Sequence, residues 1–312
     1  MYISRNEEGM VVATSDRPVS INGTQVSTQS LENIQIGQRT KSSKPKSEMR
    51  VALVCNWNLP CGISTYSKFL ADALRPQVKE LKIFSEVGEP LTPDDSSVER
   101  CWERGKPLRS LANRLKDYKP DYCIIQHEYG IFPNACYFLS FLQHIDQLPY
   151  VVTLHSVYEH LDKTICTAPI RCAIVHSEQA KETIARIGHR MPCHVVPHGC
   201  FNYSDVSELW NIFNNPYTIV QFGFGFRYKG VDRALEAVGV LKKTDPKFKD
   251  IFYCYLCSES PHNVALHDQY VKSLVDKAEE LNISDNVAIV RGFQDEKIIN
   301  NYLRTAKLAI FP

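Results

Sequence analysis

The stretch Phe222–Val238, FGFGFRYKGVDRALEAV, follows an apolar, strand-like run and leads into a segment with helical spacing of apolar residues. Two closely spaced glycines, Gly223 and Gly225, open it, and Gly230 stands directly before the helical segment. A strand, a glycine-containing turn and a helix N-terminus together form a phosphate-binding unit in doubly wound α/β proteins. The stretch therefore predicts an α/β fold with an anionic ligand at this turn.

The dinucleotide fingerprint G-x-G-x-x-G is not completed here. Tyr228 occupies its third glycine position, and Gly230 comes two residues later. The end of the next predicted strand offers only Glu259 as a ribose-binding acid, so a nicotinamide-dependent oxidoreductase stays a disfavoured alternative. Arg227 and Lys229 beside a helix N-terminus favour a diphosphate, whose negative charge grows as its bond to a sugar breaks. Ordinary surface charges in a turn are the other interpretation.

The composition is that of a globular protein rather than a nucleic-acid-coating one, since the net charge is +1 and 44% of the 312 residues are hydrophobic. No apolar run approaches the roughly 18 residues of a membrane-spanning helix. The N-terminus lacks the basic-then-apolar order of a signal peptide. The eleven cysteines are scattered. Cys254 and Cys257 form the only C-x-x-C pair, for which we predict core packing, and a reduced cytoplasmic location follows.

Alternating strands and helices begin near residue 49 and predict parallel, doubly wound sheets. We expect a flexible polar tail over residues 1–48, a Rossmann-like domain over 49–200, an interdomain connection over 201–216 and a second α/β domain over 217–312. The last predicted element is an apolar strand without a covering helix. We therefore expect the second domain to be incomplete, because of a truncation, a split gene product, or completion by another chain or by the tail.

Polar residues gather where the predicted strands end, which is the edge at which doubly wound sheets bind ligands. A lone histidine at such a position is more often a structural residue, whereas several at one edge favour a site. The turn at Gly62 has two open interpretations: a turn with Ser64 as an N-cap, or a place where a ligand approaches backbone N–H groups. The other residues at these ends are His127, Glu128, Tyr129, Gly130, His155, His176, Ser177, His198 and Gly199.

Taken together, these motifs resemble the retaining nucleotide-sugar glycosyltransferases of family 4, which have the GT-B architecture of two Rossmann-like domains. The resemblance covers roughly residues 50–312, and its most specific part is the stretch that ends at Val238. Under it, residues 49–200 would bind the acceptor and residues 217–312 the nucleotide sugar. The supporting motifs are CGISTYSKFLADAL, IIQHEYGIF, VVTLHS, AIVHSEQAKETI, HVVPHG and LAIFP.

The resemblance implies transfer of a hexosyl or pentosyl group from a nucleotide-diphosphate sugar to an acceptor hydroxyl, with retention of configuration and without a metal or other cofactor. Gly199 would lie at the hinge between domains. Glu128 is a less favoured candidate for a nucleophile. The implied catalytic residues are His155, Arg227 and Lys229; the donor-binding residues are Gly62, Ile63, Gly223, Lys229 and Gly230; and the acceptor-binding residues are Ser64, Tyr66, His127, Glu128 and Tyr129.

The sequence departs from the family pattern in two ways. The interval between Arg227 and Lys229 is compressed to one residue, which makes Lys229 the safer match. The family's glutamate-rich segment should begin just after Pro312. An inactive sugar-nucleotide-binding or scaffolding protein, or a fragment that needs another segment for activity, is therefore the alternative. The acceptor stays open between a glycan, a lipid, a protein and a modified nucleic-acid base, and the basic stretch 104–119 is either a peripheral contact with an anionic surface or a solvated helix face.

Overall fold

The computed structural model describes residues 44–160, 169–199, 215–259 and 264–312, together with the backbone of four short strands before them. Those strands form two antiparallel pairs, β1 (Ile3–Arg5) with β2 (Val11–Ala13) and β3 (Ser20–Ile21) with β4 (Thr24–Gln25). The chain divides into an N-terminal unit, residues 27–199, and a C-terminal unit, residues 1–26 with 200–312. Most of the predicted tail and connection lies outside the described residues, and the predicted domain boundaries stay predictions.

The N-terminal unit is built on a seven-stranded parallel sheet in the order β11-β10-β9-β8-β5-β6-β7. The chain extends the sheet from β5 to β7 on one side and then from β8 to β11 on the other. The switch point, where such sheets bind ligands, therefore lies between β5 and β8. Its strands are β5 (Arg50–Cys55), β6 (Glu80–Glu86), β7 (Val98–Trp102), β8 (Tyr122–His127), β9 (Tyr150–Leu154), β10 (Ala173–Val175) and β11 (Cys193–Val195), and its helices are α1 (Gly62–Leu74), α2 (Arg109–Tyr118), α3 (Ala135–His144) and α4 (Glu178–Arg186).

Apolar runs become the central strands because helices cover both faces of a parallel sheet. All of β9 and Val51–Cys55 of β5 are buried. The edge strand β7 has only Trp102 buried, and its mixed sequence VERCW gave no strand prediction. An edge position needs no continuous apolar run, which is why this strand was missed.

The C-terminal unit contains a four-stranded parallel sheet in the order β14-β13-β12-β15. The strand order reverses between β12 and β15, so the switch point of this sheet lies at the loop after β12. The predicted parallel α/β architecture is thus confirmed in both units. The strands are β12 (Thr218–Phe224), β13 (Phe252–Ser258), β14 (Val287–Arg291) and β15 (Leu308–Ala309), and the helices are α5 (Val231–Thr244), α6 (Val264–Glu280) and α7 (Glu296–Thr305).

The two cysteines of the C-x-x-C pair pack on opposite faces of this sheet. Cys257 belongs to the core under α5 and α6, whereas Cys254 packs with Leu256 and Ala306 on the α7 side. Both are buried free thiols that do not share a metal-binding geometry, which confirms the predicted packing role. No helix in the described parts of the chain is long and apolar enough to cross a membrane.

We predict that Gly225→Ala destabilises the C-terminal unit. Gly225 is buried, and a Cβ there would lie 3.0 Å from Cys257 Sγ and closer still to the ring of His267. Overpacking of this kind costs about 1–3 kcal/mol. Urea unfolding would measure the loss.

Gly62→Ala is the matched control, because a Cβ at Gly62 has no atom within 4 Å. Equal unfolding midpoints for the Gly225→Ala variant and the wild type would contradict the predicted overpacking.

Candidate functional site

Two glycines set the path of the loop between β12 and α5. Gly223 has φ +144° and Gly230 has φ +66°, conformations that favour glycine over any residue with a Cβ. A 3-10 turn, Arg227–Lys229, lies between them and is closed by the Gly230 N–H donating to the Arg227 carbonyl at 3.1 Å. The loop therefore ends at the N-terminus of α5, where backbone N–H groups and the helix dipole favour an anion.

The Lys229 side chain lies over the start of this loop. Its Cε lies 3.7 Å from the position that a Cβ on Gly223 would take. Its carbonyl accepts a 2.8 Å hydrogen bond from Gln221 Nε2, and Gln221 Oε1 accepts a 2.6 Å bond from the hydroxyl of the buried Tyr253. The backbone of Lys229 is thus tied to the core of the sheet. Lys229 directly precedes Gly230 in the sequence.

Arg227 has different neighbours. Its guanidinium is exposed and lies 5.9 Å from the centroid of the Tyr270 ring on α6. The two predicted cations therefore have different neighbours: Arg227 lies near Tyr270, whereas Lys229 lies over Gly223. Arg227 instead contributes to a groove between the loop and α6, lined by Gly225, Phe226, Arg227, Leu266, Gln269, Tyr270 and Ser273.

At the switch point of the N-terminal unit, Gly62 begins α1 and leaves open space beside the helix start. The buried Ser64 hydroxyl accepts a 3.0 Å hydrogen bond from the Leu59 N–H, so Ser64 stabilises the turn. Ile63 packs against the main core of this unit. Of the three residues, only Gly62 presents an open backbone to a ligand.

Four successive parallel strands bring one amide and three histidine rings together at the carboxyl edge of the sheet. Gln126 lies in β8, while His155, His176 and His198 follow β9, β10 and β11. The His155 Nε2 atom lies 2.7 Å from Gln126 Oε1, and His155 Nδ1 lies 3.3 Å from His176 Nε2. The His176 and His198 rings are stacked with centroids 3.7 Å apart. We call His155, His176 and His198 the histidine cluster.

Tyr66 of α1 closes one side of the histidine cluster. Its ring is edge-on to His155 with centroids 4.8 Å apart, and it lies 5.5 and 5.6 Å from His176 and His198. Burial, with smaller contributions from the neighbouring histidines, lowers the pKa of His155 to about 3. Near neutral pH this ring is therefore an uncharged hydrogen-bonding group rather than a cation.

The structure buries His127, which the sequence placed among the acceptor-binding residues. Its side chain is 2% exposed and packs against Phe132 and Phe138, with centroid distances of 5.8 and 4.5 Å. Its Nδ1 atom has no hydrogen-bond partner among the described residues. His127 is consequently part of an aromatic core, with one unsatisfied nitrogen.

The two residues after His127 are more accessible. Glu128 accepts a hydrogen bond from the Gly130 N–H, which fixes its carboxylate against its own turn. The half-buried Tyr129 ring lies edge-on to His127 at 5.3 Å. Glu128 therefore acts first as a turn-forming residue in this conformation.

Two polar residues at this edge were missed by the sequence analysis. Asn56 follows β5 directly and is 1% exposed, yet neither amide atom has a partner among the described residues. Gln126 is fully buried within an apolar strand. An amide inside or directly after an apolar strand is the signal that could have identified both, because buried polar atoms normally have partners.

No known protein family model and no curated protein matches this sequence. Solved structures do match its fold. HepE from Anabaena, solved with UDP and glucose, is 15% identical with a TM-score of 0.58, over 84% of this chain and 73% of that chain. A glycosyltransferase from Rickettsia africae is 15% identical with a TM-score of 0.64, over 85% and 73%. A UDP-forming trehalose-phosphate synthase from Burkholderia xenovorans is 12% identical with a TM-score of 0.61, over 84% and 77%. This likeness shows the fold: two Rossmann-like parallel-sheet units of the GT-B type.

We predict that His127→Phe makes the protein more resistant to acid. Burial lowers the pKa of His127 from 6.5 to about 3, so the folded state excludes a proton that the unfolded state binds below pH 6.5. The free energy of unfolding therefore falls as pH drops from 6.5 towards 3. This histidine alone accounts for a loss of about 2 kcal/mol between about pH 7 and pH 5.

Urea unfolding of the wild type and of His127→Phe at both pH values measures this contribution. His144→Ala, which removes a histidine on α3 that bonds its own helix backbone, is the control. An identical pH dependence in the wild type and His127→Phe would show that His127 titrates normally in the folded protein.

Proposed function

We propose that this chain is a retaining glycosyltransferase of the family 4 type, which moves a sugar from a nucleotide-diphosphate donor to an acceptor hydroxyl. The observation that carries the proposal is the placement of Lys229 over Gly223 at the start of α5. A lysine beside a helix N-terminus, on a glycine turn at the switch point of a parallel sheet, is an arrangement suited to a diphosphate. The GT-B fold agrees with this chemistry without specifying it.

The chemistry follows from where charge develops. When the bond between the anomeric carbon and the diphosphate breaks, both bonding electrons leave with the phosphate oxygen. Lys229 Nζ and the first-turn N–H groups of α5 would stabilise that negative charge. Gly223 and Gly230 both have positive φ and carry no Cβ, which lets the backbone turn tightly here and lets the Lys229 side chain lie over Gly223. These groups supply the counter-charge, so the diphosphate needs no metal ion.

The anomeric configuration is retained if the acceptor hydroxyl attacks the anomeric carbon on the face that the nucleotide leaves. The departing phosphate oxygen then takes the hydroxyl proton as the new carbon–oxygen bond forms. His155 lies in the other unit, and its assignment to the reaction centre rests on the resemblance of its motif.

The solved structures with this fold suggest which donor to test first. HepE is described in complex with UDP and glucose, and the Burkholderia xenovorans synthase as UDP-forming. We therefore propose a UDP-sugar as the first candidate donor, ahead of a GDP-sugar. The acceptor class stays open between a glycan, a lipid, a protein and a modified nucleic-acid base.

The basic stretch 104–119 is better explained as a solvated helix face than as a surface for anionic partners. Arg104 forms two hydrogen bonds to the buried Glu86, at 2.8 and 2.9 Å, and Arg114 pairs with Glu99 at 3.2 Å. Two of its cations are thus already neutralised by the protein. This observation gives no support to a peripheral membrane or nucleic-acid contact.

We predict that Lys229→Ala reduces turnover of a nucleotide sugar by at least about 10-fold, because loss of one preorganised contact to developing charge commonly costs about 2.7–4 kcal/mol. Arg227→Ala should have a smaller effect, since Arg227 faces Tyr270 rather than Gly223. Turnover is measured by release of UDP or GDP, with and without acceptors. Lys249→Ala, at a lysine whose side chain is 75% exposed, is the charge-matched control.

Calorimetry with UDP- and GDP-sugars separates catalysis from binding. Donor binding without hydrolysis or transfer in the wild type, across a panel of acceptors, would favour an inactive sugar-nucleotide-binding protein. Undiminished turnover in Lys229→Ala would remove this lysine from the mechanism. The anomeric configuration of the product, read by NMR, tests retention.

A further inference from the structure

We propose that His155, His176 and His198 bind one divalent transition-metal ion, for which zinc is the best match. One ring nitrogen from each histidine lies within 4.8 Å of the other two. Three imidazoles converge at the ends of three successive parallel strands, and imidazole is a favoured ligand of zinc, copper and nickel. The site belongs to the N-terminal unit and is independent of the Lys229 loop.

The hydrogen bonds outside the cluster set which nitrogens face inward. The carbonyl of Val196 can only accept, so His176 Nδ1, 2.8 Å away, must carry the proton. His176 Nε2 then presents a lone pair towards His155. On the other side, Gln126 Oε1 accepts from His155 Nε2, which leaves a lone pair on His155 Nδ1. Two lone pairs therefore face each other across 3.3 Å, an arrangement that a shared cation stabilises.

The spacing fits tetrahedral coordination. Zinc–nitrogen bonds of about 2.0–2.1 Å place two ligand nitrogens about 3.3–3.4 Å apart. His155 Nδ1 and His176 Nε2 already lie at 3.3 Å. The exposed His198 ring, now stacked on His176, has to turn to direct a nitrogen at the ion. With three protein ligands, the fourth position would accept water or a substrate hydroxyl.

The groups behind the ligands are those that a metal site uses. Metal-binding histidines usually donate their second N–H to a carbonyl or carboxylate, which fixes the ring and strengthens the ligand. The fully buried Gln126 and the Val196 carbonyl take these positions. The competing arrangement is a hydrogen-bonded relay without metal, in which Gln126 is turned over and donates to His155.

This proposal departs from the expectation of a metal-free protein, and it does not rest on the proposed sugar transfer. The donor chemistry at Lys229 needs no metal at the diphosphate. Calorimetric binding of a UDP-sugar should therefore be the same in chelator-treated and metal-loaded protein. If neither preparation binds the donor, the result counts against the proposed function and not against the metal site.

The test is a titration of the chain, without a polyhistidine tag, with Co²⁺ and then Zn²⁺. We expect one Co²⁺ per chain, with the intense visible bands of four-coordinate cobalt and no thiolate charge-transfer band, followed by displacement by Zn²⁺. His198→Ala, at an exposed side chain, should weaken binding by at least about 100-fold, since even groups behind the ligands contribute about 10–100-fold. His144→Ala, outside the cluster, should bind like the wild type.

Gln126 variants separate the metal site from the relay. Gln126→Glu keeps an acceptor for His155 and should retain cobalt binding, whereas Gln126→Leu should weaken it by about 10–100-fold. Circular dichroism confirms that each variant is folded. The proposal is overturned by the absence of bound Co²⁺ and Zn²⁺, by unchanged affinity in His198→Ala, or by equal losses in His198→Ala and His144→Ala.

Discussion

Burial of parallel strands on both faces is the constraint from which both candidate sites follow. A strand such as β9, with every residue buried, cannot present side chains to a ligand along its length. Chemistry is therefore confined to the residues at which the strands end, and parallel pairing places all of those ends at one edge of each sheet. The loop after β12 and the histidine cluster are the two places where this edge is richest in polar groups.

The two sites use that edge differently. In the C-terminal unit, a single loop provides the glycines, the cation and the helix start, so the site is local in sequence. Its precision comes from the core, because Gln221 joins the Lys229 carbonyl to the hydroxyl of Tyr253. In the N-terminal unit, no single segment contains the whole site, because the three histidine rings follow three different strands. The geometry of that cluster depends on the pairing of β8, β9, β10 and β11.

The positions of the charged groups show why residue type is a poor guide to role. Arg227 and Lys229 are two residues apart, yet one faces Tyr270 on α6 and the other covers Gly223. They are the first and last residues of one 3-10 turn, which directs their side chains to different sides. Similarly, His127 ends an apolar strand and His155 follows one, but the first is buried among phenylalanines and the second belongs to the histidine cluster.

Local information in the sequence predicted the parallel α/β class, most strands and helices, and the glycine turn. Each depends on apolar runs, on periodicity or on backbone conformations that glycine permits, and these are properties of short segments. The sequence missed the edge strand β7, the amides of Asn56 and Gln126, and the burial of His127. The contact between His155 and His176 also required the structure. It joins residues from different strands, and their distance is determined by strand order and register, which no single segment encodes.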